Sequence, residues 1–295
     1  MSYTPGWTPG SGSRSLNNSS PWSRALARMM HDPSAIFGIA IIIVLLLSAI
    51  LSAQFAHPYV QDLAERLSAP GSPDYLLGSD HFGRDILSRL AAGAQVSLRV
   101  GILASTISLL IGTILGTIAG YFGGKLDTLI MRLTDIVMGF PVLLFLIAIS
   151  AVFQPGINTC MLAIGCVTWP QMARLMRGQI LSLKSQEFLT AAIALGYSHP
   201  AIILRHILPN CLAPVIVTLT LGISGAIMAE ASLSFLGLGV QPPTPSWGAM
   251  INEGKDFLRV APWLSLLPGL AIAATVLAFN LLGEALRDAL DVKAN

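Results

Sequence analysis

Residues Ala35–Phe55, AIFGIAIIIVLLLSAILSAQF, form an apolar run without a single charged side chain. A helix of about 20 apolar residues crosses the hydrocarbon core of a bilayer. The bilayer offers no water to backbone amides, so a spanning segment must be a helix or belong to a closed barrel. Barrel strands alternate apolar and polar residues, and this run does not alternate. The segment therefore predicts a transmembrane helix.

The rest of the chain shares this apolar character. Of its 295 residues, 54% are hydrophobic and only 11% are charged, and the mean hydropathy is +0.70. Soluble domains carry about 25% charged residues, so a soluble protein is excluded. The composition predicts an all-α polytopic membrane protein. Six transmembrane helices are predicted, at Ala35–Phe55, Ser97–Tyr121, Ile130–Phe153, Ile157–Ala173, Leu212–Phe235 and Pro262–Gly283.

The spans divide the chain into four predicted parts. Residues 1–34, rich in Gly, Ser, Pro and Asn, read as a flexible cytoplasmic tail. A first span (35–55), an external segment with an interfacial helix (56–96) and a core of five spans (97–295) follow, and the core carries a cytoplasmic loop at 178–210. Lys and Arg are more frequent in the loops on the side of the N-terminus. Because this excess marks the cytoplasm, both termini are predicted to be cytoplasmic.

Small residues recur through the second span. Gly112, Gly116 and Gly120 follow one another at four-residue spacing, which lets helix backbones approach closely in lipid. Packing within one bundle and packing between subunits both remain open at this point.

The first external segment contains a group of charged residues: His81, Arg84, Asp85 and Arg89. No Ser or Cys nucleophile is suitably placed near them, so a structural ion-pair cluster is favoured over a catalytic site. Asp80 is predicted to cap the interfacial helix, which presents one apolar face from Asp85 onward.

The second external segment joins the fifth and sixth spans. Pro242, Pro243 and Pro245 impose an extended conformation. Trp247 and Trp263 are typical of the interfacial aromatic belt. An external gate and a plain connection with a short interfacial helix both fit the segment.

Two acidic residues lie within predicted spans. Asp135 follows Arg132 by three residues, a spacing that favours an ion pair. Glu230 has no partner expected in its own helix. It could pair with a neighbouring subunit, cap a broken helix or line a transport pathway.

The cytoplasmic loop contains a compact helix-forming segment, QEFLTAAIALG, at 186–196. Phe188, Ala191, Ala192 and Leu195 are predicted to share one face, and Gly196 supplies the stop expected just past a helix end. Such a helix could dock into a groove of another protein or lie along the membrane as an ordinary amphipathic helix.

This loop resembles the EAA motif of ABC-importer permeases, which reads E-A-A, three residues, Gly, nine residues, then I-x-L-P. Ala191, Ala192, Gly196, Leu208 and Pro209 match that pattern. Thr190 replaces the Glu of the motif, and His206 replaces its Ile. The missing Glu removes any salt bridge that the family makes from that position.

Four longer blocks resemble the second permease subunit of dipeptide, oligopeptide and nickel importers. They are LGSDHFGRDILSRLAAGAQVSL, GYFGGKLDTLIMRLTDIVMGFP, SFLGLGVQPPTPSWGAMINEG and LAFNLLGEALRDALD. The resemblance implies a type I ABC-importer permease fold in the bacterial inner membrane. It also implies a function: one half of the translocation pore of an ATP-driven importer for di- or oligopeptides.

The same resemblance implies the partners. They are a homologous permease subunit, two cytoplasmic ATPase subunits and an external substrate-binding protein, all at a lipid bilayer and without nucleic acid. The chain contains no G-x-x-x-x-G-K-[ST] pattern, so ATP and Mg are expected in the ATPase subunits and neither catalytic nor metal-binding residues are expected here. The residues implied in coupling to the ATPases are Glu187, Thr190, Ala191, Ala192, Leu195, Gly196, Leu208 and Pro209.

Other functions fit parts of the sequence. Relatives in the same branch carry nickel chelates or glutathione-like compounds, and specificity there usually rests with the binding protein. A binding-protein-independent channel and a structural membrane subunit are alternatives from another class. A membrane-embedded enzyme is disfavoured because the chain has no H-E-x-x-H or similar paired ligands.

Overall fold

The computed structural model describes residues 27–55 and 57–290. Most of the predicted tail, residues 1–26, therefore lies outside the described residues. Within them the chain is mostly helical, and its β-structure there consists of two isolated bridges in the external segment. The principal helices are α1 (Pro33–Phe55), α2 (Ile86–Phe122), α3 (Gly124–Gly139), α4 (Val142–Val152), α5 (Ile157–Lys184), α6 (Glu187–Ala194), α7 (His199–Ile202), α8 (Leu208–Phe235), α9 (Trp247–Gly254) and α10 (Trp263–Leu290).

Four helical stretches are long and apolar enough to cross a membrane: Pro33–Ser52, Ile86–Phe122, His199–Phe235 and Trp263–Leu290. The bent pair formed by α3 and α4 makes a fifth if it counts as one span. Helix α5 has 28 residues but is less apolar, because Asn158, Gln171 and Arg174 interrupt it. The protein is therefore a multi-pass membrane protein, and the sixth span stays a prediction for α5.

The third span was predicted as one continuous helix, which is wrong. It breaks at Phe140 and Pro141, and α3 and α4 meet there with a bend of 88°. Phe140 is extended, with φ −94° and ψ 137°. A proline disfavours the helical conformation in the residue before it and has no N–H to continue the ladder.

Helix α2 also differs from prediction. It runs unbroken for 37 residues from Ile86, so there is no separate interfacial helix before Ser97. Asp85, not Asp80, caps it by accepting hydrogen bonds from the backbone N–H groups of Leu87 (3.3 Å) and Ser88 (2.9 Å). The apolar face that begins in the external segment thus continues directly into the membrane.

The glycines of α2 lie against α5. A Cβ on Gly112 would come 2.7 Å from the carbonyl oxygen of Trp169, and one on Gly116 would come 2.7 Å from Cβ of Met176. Gly120 meets Ile180 in the same way. Packing within the bundle is therefore confirmed, because the absence of side chains at these positions is what lets the two backbones approach.

The connection between α8 and α10 contains the short helix α9, which fits one of the two alternatives, and a role as a gate stays a prediction. Its Trp247 does not belong to an aromatic belt, however: the side chain is buried and its Nε1–H donates to the carbonyl of Leu90 at 3.1 Å. The ring packs on Gly93, where a Cβ would come 3.0 Å from Trp247 Cδ1. Trp263 is half-buried and donates to the carbonyl of Ser79. Trp247 thereby fixes α9 to the start of α2, and Trp263 fixes the start of α10 to the first external segment.

Candidate coupling site and buried charges

The helix α6 forms where it was predicted. Its last turn is closed by hydrogen bonds from the N–H of Gly196 to the carbonyl of Ile193 (3.0 Å) and from the N–H of Tyr197 to that of Ala192 (3.3 Å). Gly196 has φ +77°, a conformation that glycine adopts without the steric cost of a Cβ. The glycine therefore sets the direction in which the chain leaves α6.

One side of α6 is anchored to the bundle. Leu189 and Ala192 are buried, and Leu189 belongs to an apolar cluster with Met176, Ile180 and Ile207. The prediction that Ala192 shares the outward face of Phe188, Ala191 and Leu195 is wrong. Ala192 lies three residues after Leu189, so the two side chains fall on the same inward side of the helix.

The side of α6 that faces away from the bundle is open, and it exposes Glu187 and Thr190 together with several apolar side chains. Leu195 is 77% exposed, and Phe188, Ile193 and Tyr197 are also exposed. Ala191 lies on this side as well. We call the exposed side chains of Phe188, Ala191, Ile193, Leu195 and Tyr197 the α6 patch.

Polar contacts brace the segment that carries the patch. The hydroxyl group of Tyr121, at the end of α2, lies 2.7 Å from Nδ1 of His199 in α7. The ammonium group of Lys184 donates to the carbonyl of Tyr121 at 2.9 Å. Sequence reasoning missed this brace because its residues are distant in sequence and form no motif.

The remaining motif residues lie around the patch. Glu187 and Thr190 are exposed on α6, and the Thr190 hydroxyl donates only to the carbonyl of Gln186 at 3.4 Å. Leu208 and Pro209 start α8, and the N–H of Leu208 donates to the carbonyl of Ile203 in the preceding turn. A π-turn, Ile203–Ile207, joins α7 to α8.

Two ion pairs fasten α3 to α5. Asp135 pairs with Arg174 at 2.6 Å, so the predicted pair with Arg132 is wrong. Asp127 accepts two hydrogen bonds from Arg177, one to each oxygen, at 2.5 and 2.7 Å. Arg177 faces Asp127 from another helix, so its guanidinium group can contact both carboxylate oxygens at once. A residue one turn away on the same helix is less well placed for this contact.

Glu230 lies inside the protein, fully shielded from solvent. Its carboxylate accepts hydrogen bonds from Ser97 on α2 (3.1 Å) and from Ser234 (2.7 Å). The expectation of no partner in its own helix is wrong, because Ser234 lies one turn further along α8. A role in lining a pathway stays a prediction; in this structure the carboxylate joins α8 to α2.

The predicted ion-pair cluster exists in the external segment, with different carboxylates. Arg84 pairs with Asp80 and Glu253, each at 2.6 Å. Arg89, 1% exposed, pairs with Glu253 at 2.9 Å and lies 3.6 Å from Asp80. Asp85 is absent from the cluster because it caps α2. The four residues thus clamp the external segment onto α9.

His81 borders this cluster. Ligand atoms of His81, Asp80 and Glu253 lie within 4.8 Å of one another, but two guanidinium groups already bind both carboxylates and would repel a cation. The His81 ring stacks on Phe257, with centroids 5.3 Å apart. Burial lowers the pKa of His81 below its ordinary value of 6.5, against the opposing effect of Asp80 and Glu253.

Comparison with solved structures agrees with this architecture. A chain described as "Inward facing conformations of the MetNI methionine ABC transporter: CY5 native crystal form" superposes with a TM-score of 0.57 over 68% of this chain and 95% of that one. The two sequences are 15% identical, so the likeness shows the fold alone. The fold is that of type I ABC-importer permeases.

Comparison with known sequences finds more similar proteins. The dipeptide transport system permease protein DppC of Alkalihalophilus pseudofirmus is 44% identical over 93% of this chain and 90% of its own length. The glutathione transport system permease protein GsiD of Escherichia coli O6:K15:H31 is 44% identical over 92% of this chain and 89% of its own.

Two family descriptions match separate parts of the chain. Residues 20–70 match the N-terminal TM domain of oligopeptide transport permease C. Residues 112–295 match the binding-protein-dependent transport system inner membrane component, which covers most of the helical bundle and the α6 patch. The chain belongs to this family, the permease subunits of ABC importers.

Proposed function

We propose that this permease forms half of the pore of an ATP-driven importer for di- and oligopeptides. Its partners in this proposal are a homologous permease, two cytoplasmic ATPase subunits that bind ATP and Mg, and an external substrate-binding protein. Both termini then lie in the cytoplasm. Support comes from the 44% identity to a dipeptide permease over most of both chains and from the absence of a Walker A pattern in the sequence.

The observation that carries the proposal is the α6 patch. A surface helix in water normally turns its polar side outward, whereas α6 exposes Phe188, Ile193 and Leu195. Contiguous exposed apolar side chains mark an interaction surface. The motif that the patch carries is the one by which the family contacts its ATPases, so an ATPase groove is the occupant we infer.

The anchoring of α6 explains how movement would pass into the membrane. Leu189 fixes it to the ends of α5 and α8 through the apolar cluster, and His199 ties the next turn to Tyr121 of α2. Packed elements move as rigid bodies between discrete states. A displacement of the patch would therefore be transmitted to three membrane helices together.

Glutathione-like compounds are the second candidate substrate. The glutathione permease is as similar to this chain as the dipeptide permease, at 44% identity. Glutathione is itself a small peptide, so both candidates belong to one chemical class. Nickel chelates, the other alternative within the branch, have no comparable support here.

A charge in the patch tests the proposal. Leu195→Asp leaves the isolated chain intact because the side chain is already exposed, but it places a carboxylate in the inferred interface. The ATPase subunits should no longer co-purify, and peptide uptake should be lost. Leu258→Asp is the matched control, since Leu258 is also exposed but lies on the other side of the bundle, after α9. Normal uptake by Leu195→Asp would refute the docking role.

A further inference from the structure

A polar cavity lies between α2, α5 and α8. Its volume is about 340 Å³, and its wall contains hydroxyl and amide side chains from three helices: Ser105, Ser108, Thr168, Gln171 and Thr218. No Asp, Glu, Lys or Arg lines it among the described residues. Apolar residues such as Leu109, Val142 and Met172 form the rest of the wall, so the neutral polar groups on three different helices need an explanation.

A second cavity continues the first. It has a volume of about 500 Å³ and shares Thr218 and Leu221 with the polar cavity. Gln179, Pro214 and Arg287 belong to its wall. Because Thr218 and Leu221 line both cavities, the two lie side by side, and we call them together the polar groove.

The groove follows helical faces along the membrane. On α5 the wall residues are Thr168, Gln171, Leu175 and Gln179, at spacings of three and four residues that keep them on one face. With a rise of 1.5 Å per residue, this face extends about 16 Å, roughly half of a hydrocarbon core of about 30 Å. The groove is therefore long enough to be part of a route across the membrane.

Helix α8 forms the wall of the polar groove opposite α5, and its small residues leave space there. Pro214, Thr218, Gly222, Gly225 and Ala229 line the groove at spacings of three and four residues. A Cβ on Gly225 would meet nothing within 4 Å, so this glycine is not required for helix packing, unlike Gly112 and Gly116. Small residues here leave room for an occupant.

One hydroxyl group in the groove lacks a partner. Ser105 is only 6% exposed, and its Oγ makes no hydrogen bond within the described residues. Buried polar atoms are nearly always hydrogen-bonded to protein, water or ligand. The unpartnered hydroxyl therefore points to an occupant that can hydrogen-bond.

A larger cavity suits this role less well. It has a volume of about 830 Å³ between α4, α8, α9 and α10, and its wall is almost entirely apolar, with side chains such as Met228, Phe235, Ile272 and Val276. Polar groups of a solute would lose their hydrogen bonds to water there without replacement, at a cost in free energy.

We propose that the polar groove is this subunit's wall of the translocation pathway and that it takes solutes rich in uncharged peptide groups. This inference rests on the proposed function and names the residues that would carry it. Hydroxyl and carboxamide groups both donate and accept hydrogen bonds, as peptide groups do. The part of the wall formed by Ser105, Thr168 and Gln171 has no fixed charge and binds such solutes weakly enough to release them. The part near the last turn of α10 carries the charge of Arg287.

Thiol labelling tests the position of the pathway. In a variant with Cys160, Cys166 and Cys211 replaced by alanine, Gln171→Cys should react with a water-soluble maleimide in permeabilised cells that contain the assembled transporter. Leu162→Cys, on the opposite side of α5 and 56% exposed, is the matched control and should stay unlabelled in lipid. Equally slow labelling at the two positions would overturn the proposal, whether lipid or a neighbouring helix fills the groove.

A change in the volume of the polar groove tests whether solutes pass through it. A Cβ at Gly225 or at Gly269 would meet nothing within 4 Å. Gly225→Leu narrows the polar groove, whereas Gly269→Leu narrows the apolar cavity. Both changes favour helix formation, so loss of folding is not expected from either. Gly225→Leu should lose peptide uptake and Gly269→Leu should retain it; the reverse pattern, or uptake retained by both, would overturn the proposal.

The labelling result is independent of the substrate. If the unaltered transporter takes up no peptide while Gln171→Cys is labelled, the proposed substrate fails but the groove stands as the pathway. If peptide uptake is intact and Gln171→Cys is unlabelled, the groove fails and the proposed function stands.

Discussion

Individual charged residues of this permease are held by partners far away in sequence. Arg89 lies at the start of α2, and Glu253 follows it by 164 positions, yet their side chains meet at 2.9 Å. Arg84 reaches the same carboxylate. Removal of one member of a buried ion pair leaves the other charge uncompensated. The resulting loss in free energy of unfolding is larger than the contribution of an exposed ion pair.

Arg89→Ala should therefore destabilise the protein strongly, by roughly 3–5 kcal/mol. Thermal unfolding of the purified protein in detergent measures the loss. Arg259→Ala removes an exposed arginine of the same external region and should change stability little. Equal stability of the two variants would show that the cluster does not clamp the external segment.

His81 should make the external segment sensitive to acid. Burial lowers its pKa in the folded protein below the ordinary value of 6.5. Between those two pKa values the unfolded chain binds more protons than the folded one, so stability is present above pH 6.5 and falls as the pH drops through that interval. Nearby Arg84 and Arg89 act in the same direction as burial.

Hydrogen exchange of residues 57–85 measures this effect. Exchange should accelerate as the pH falls below 6.5, after correction for the intrinsic rate. His81→Asn cannot become charged in this range, so its corrected exchange should be independent of pH. The same pH dependence in His81→Asn would assign the effect to another group.

At the scale of helices, the sequence predicted most elements and missed how they join. Apolar runs located α1, α8 and α10, and Gly196 located the end of α6. The break at Pro141 was missed because the apolar run continues through it, although a proline inside a span can end a helix. The continuity of α2 was missed because charged residues such as Arg89 precede the apolar run; the guanidinium group of Arg89 is paired with Glu253 of α9 only in the folded chain.

The glycines of α2 give an element-scale prediction. Gly112→Ala would place a Cβ 2.5 Å from Cβ of Met172, so α2 and α5 must separate, and overpacking of this kind costs about 1–3 kcal/mol. Gly225→Ala on α8 meets nothing within 4 Å and should be neutral or slightly stabilising. Thermal unfolding of both variants in detergent distinguishes close packing at Gly112 from a general need for glycine. Equal unfolding midpoints for the two variants would contradict close packing of α2 against α5.

For the whole molecule, the proposed function makes α6 a lever: a partner ATPase would displace this helix and thereby move the membrane helices to which it is fixed. The sequence located the candidate lever through its resemblance to the EAA motif. It could not predict the brace between Tyr121 and His199 or the inward orientation of Ala192, because both depend on the packing of α2, α5 and α7 in three dimensions.

Gly196→Trp should leave the complex assembled in the membrane but uncouple it. A left-handed φ of +77° costs a residue with a Cβ about 1–2 kcal/mol, so the turn after α6 should shift and redirect the patch. ATP hydrolysis should persist while peptide uptake falls. Gly237→Trp is the matched control, because Gly237 has φ +78° and open space around it but lies after α8, away from the patch. Normal uptake by Gly196→Trp would contradict the lever.

Cross-linking from the patch in intact membranes tests the lever most directly. With the native cysteines replaced by alanine, Leu195→Cys carries a short thiol-reactive cross-linker, and the captured protein is identified by mass spectrometry. We predict that a nucleotide-hydrolysing subunit is captured, and that Val260→Cys, exposed beyond α9, does not capture it. If Leu195→Cys captures no such subunit, the permease is not driven through α6.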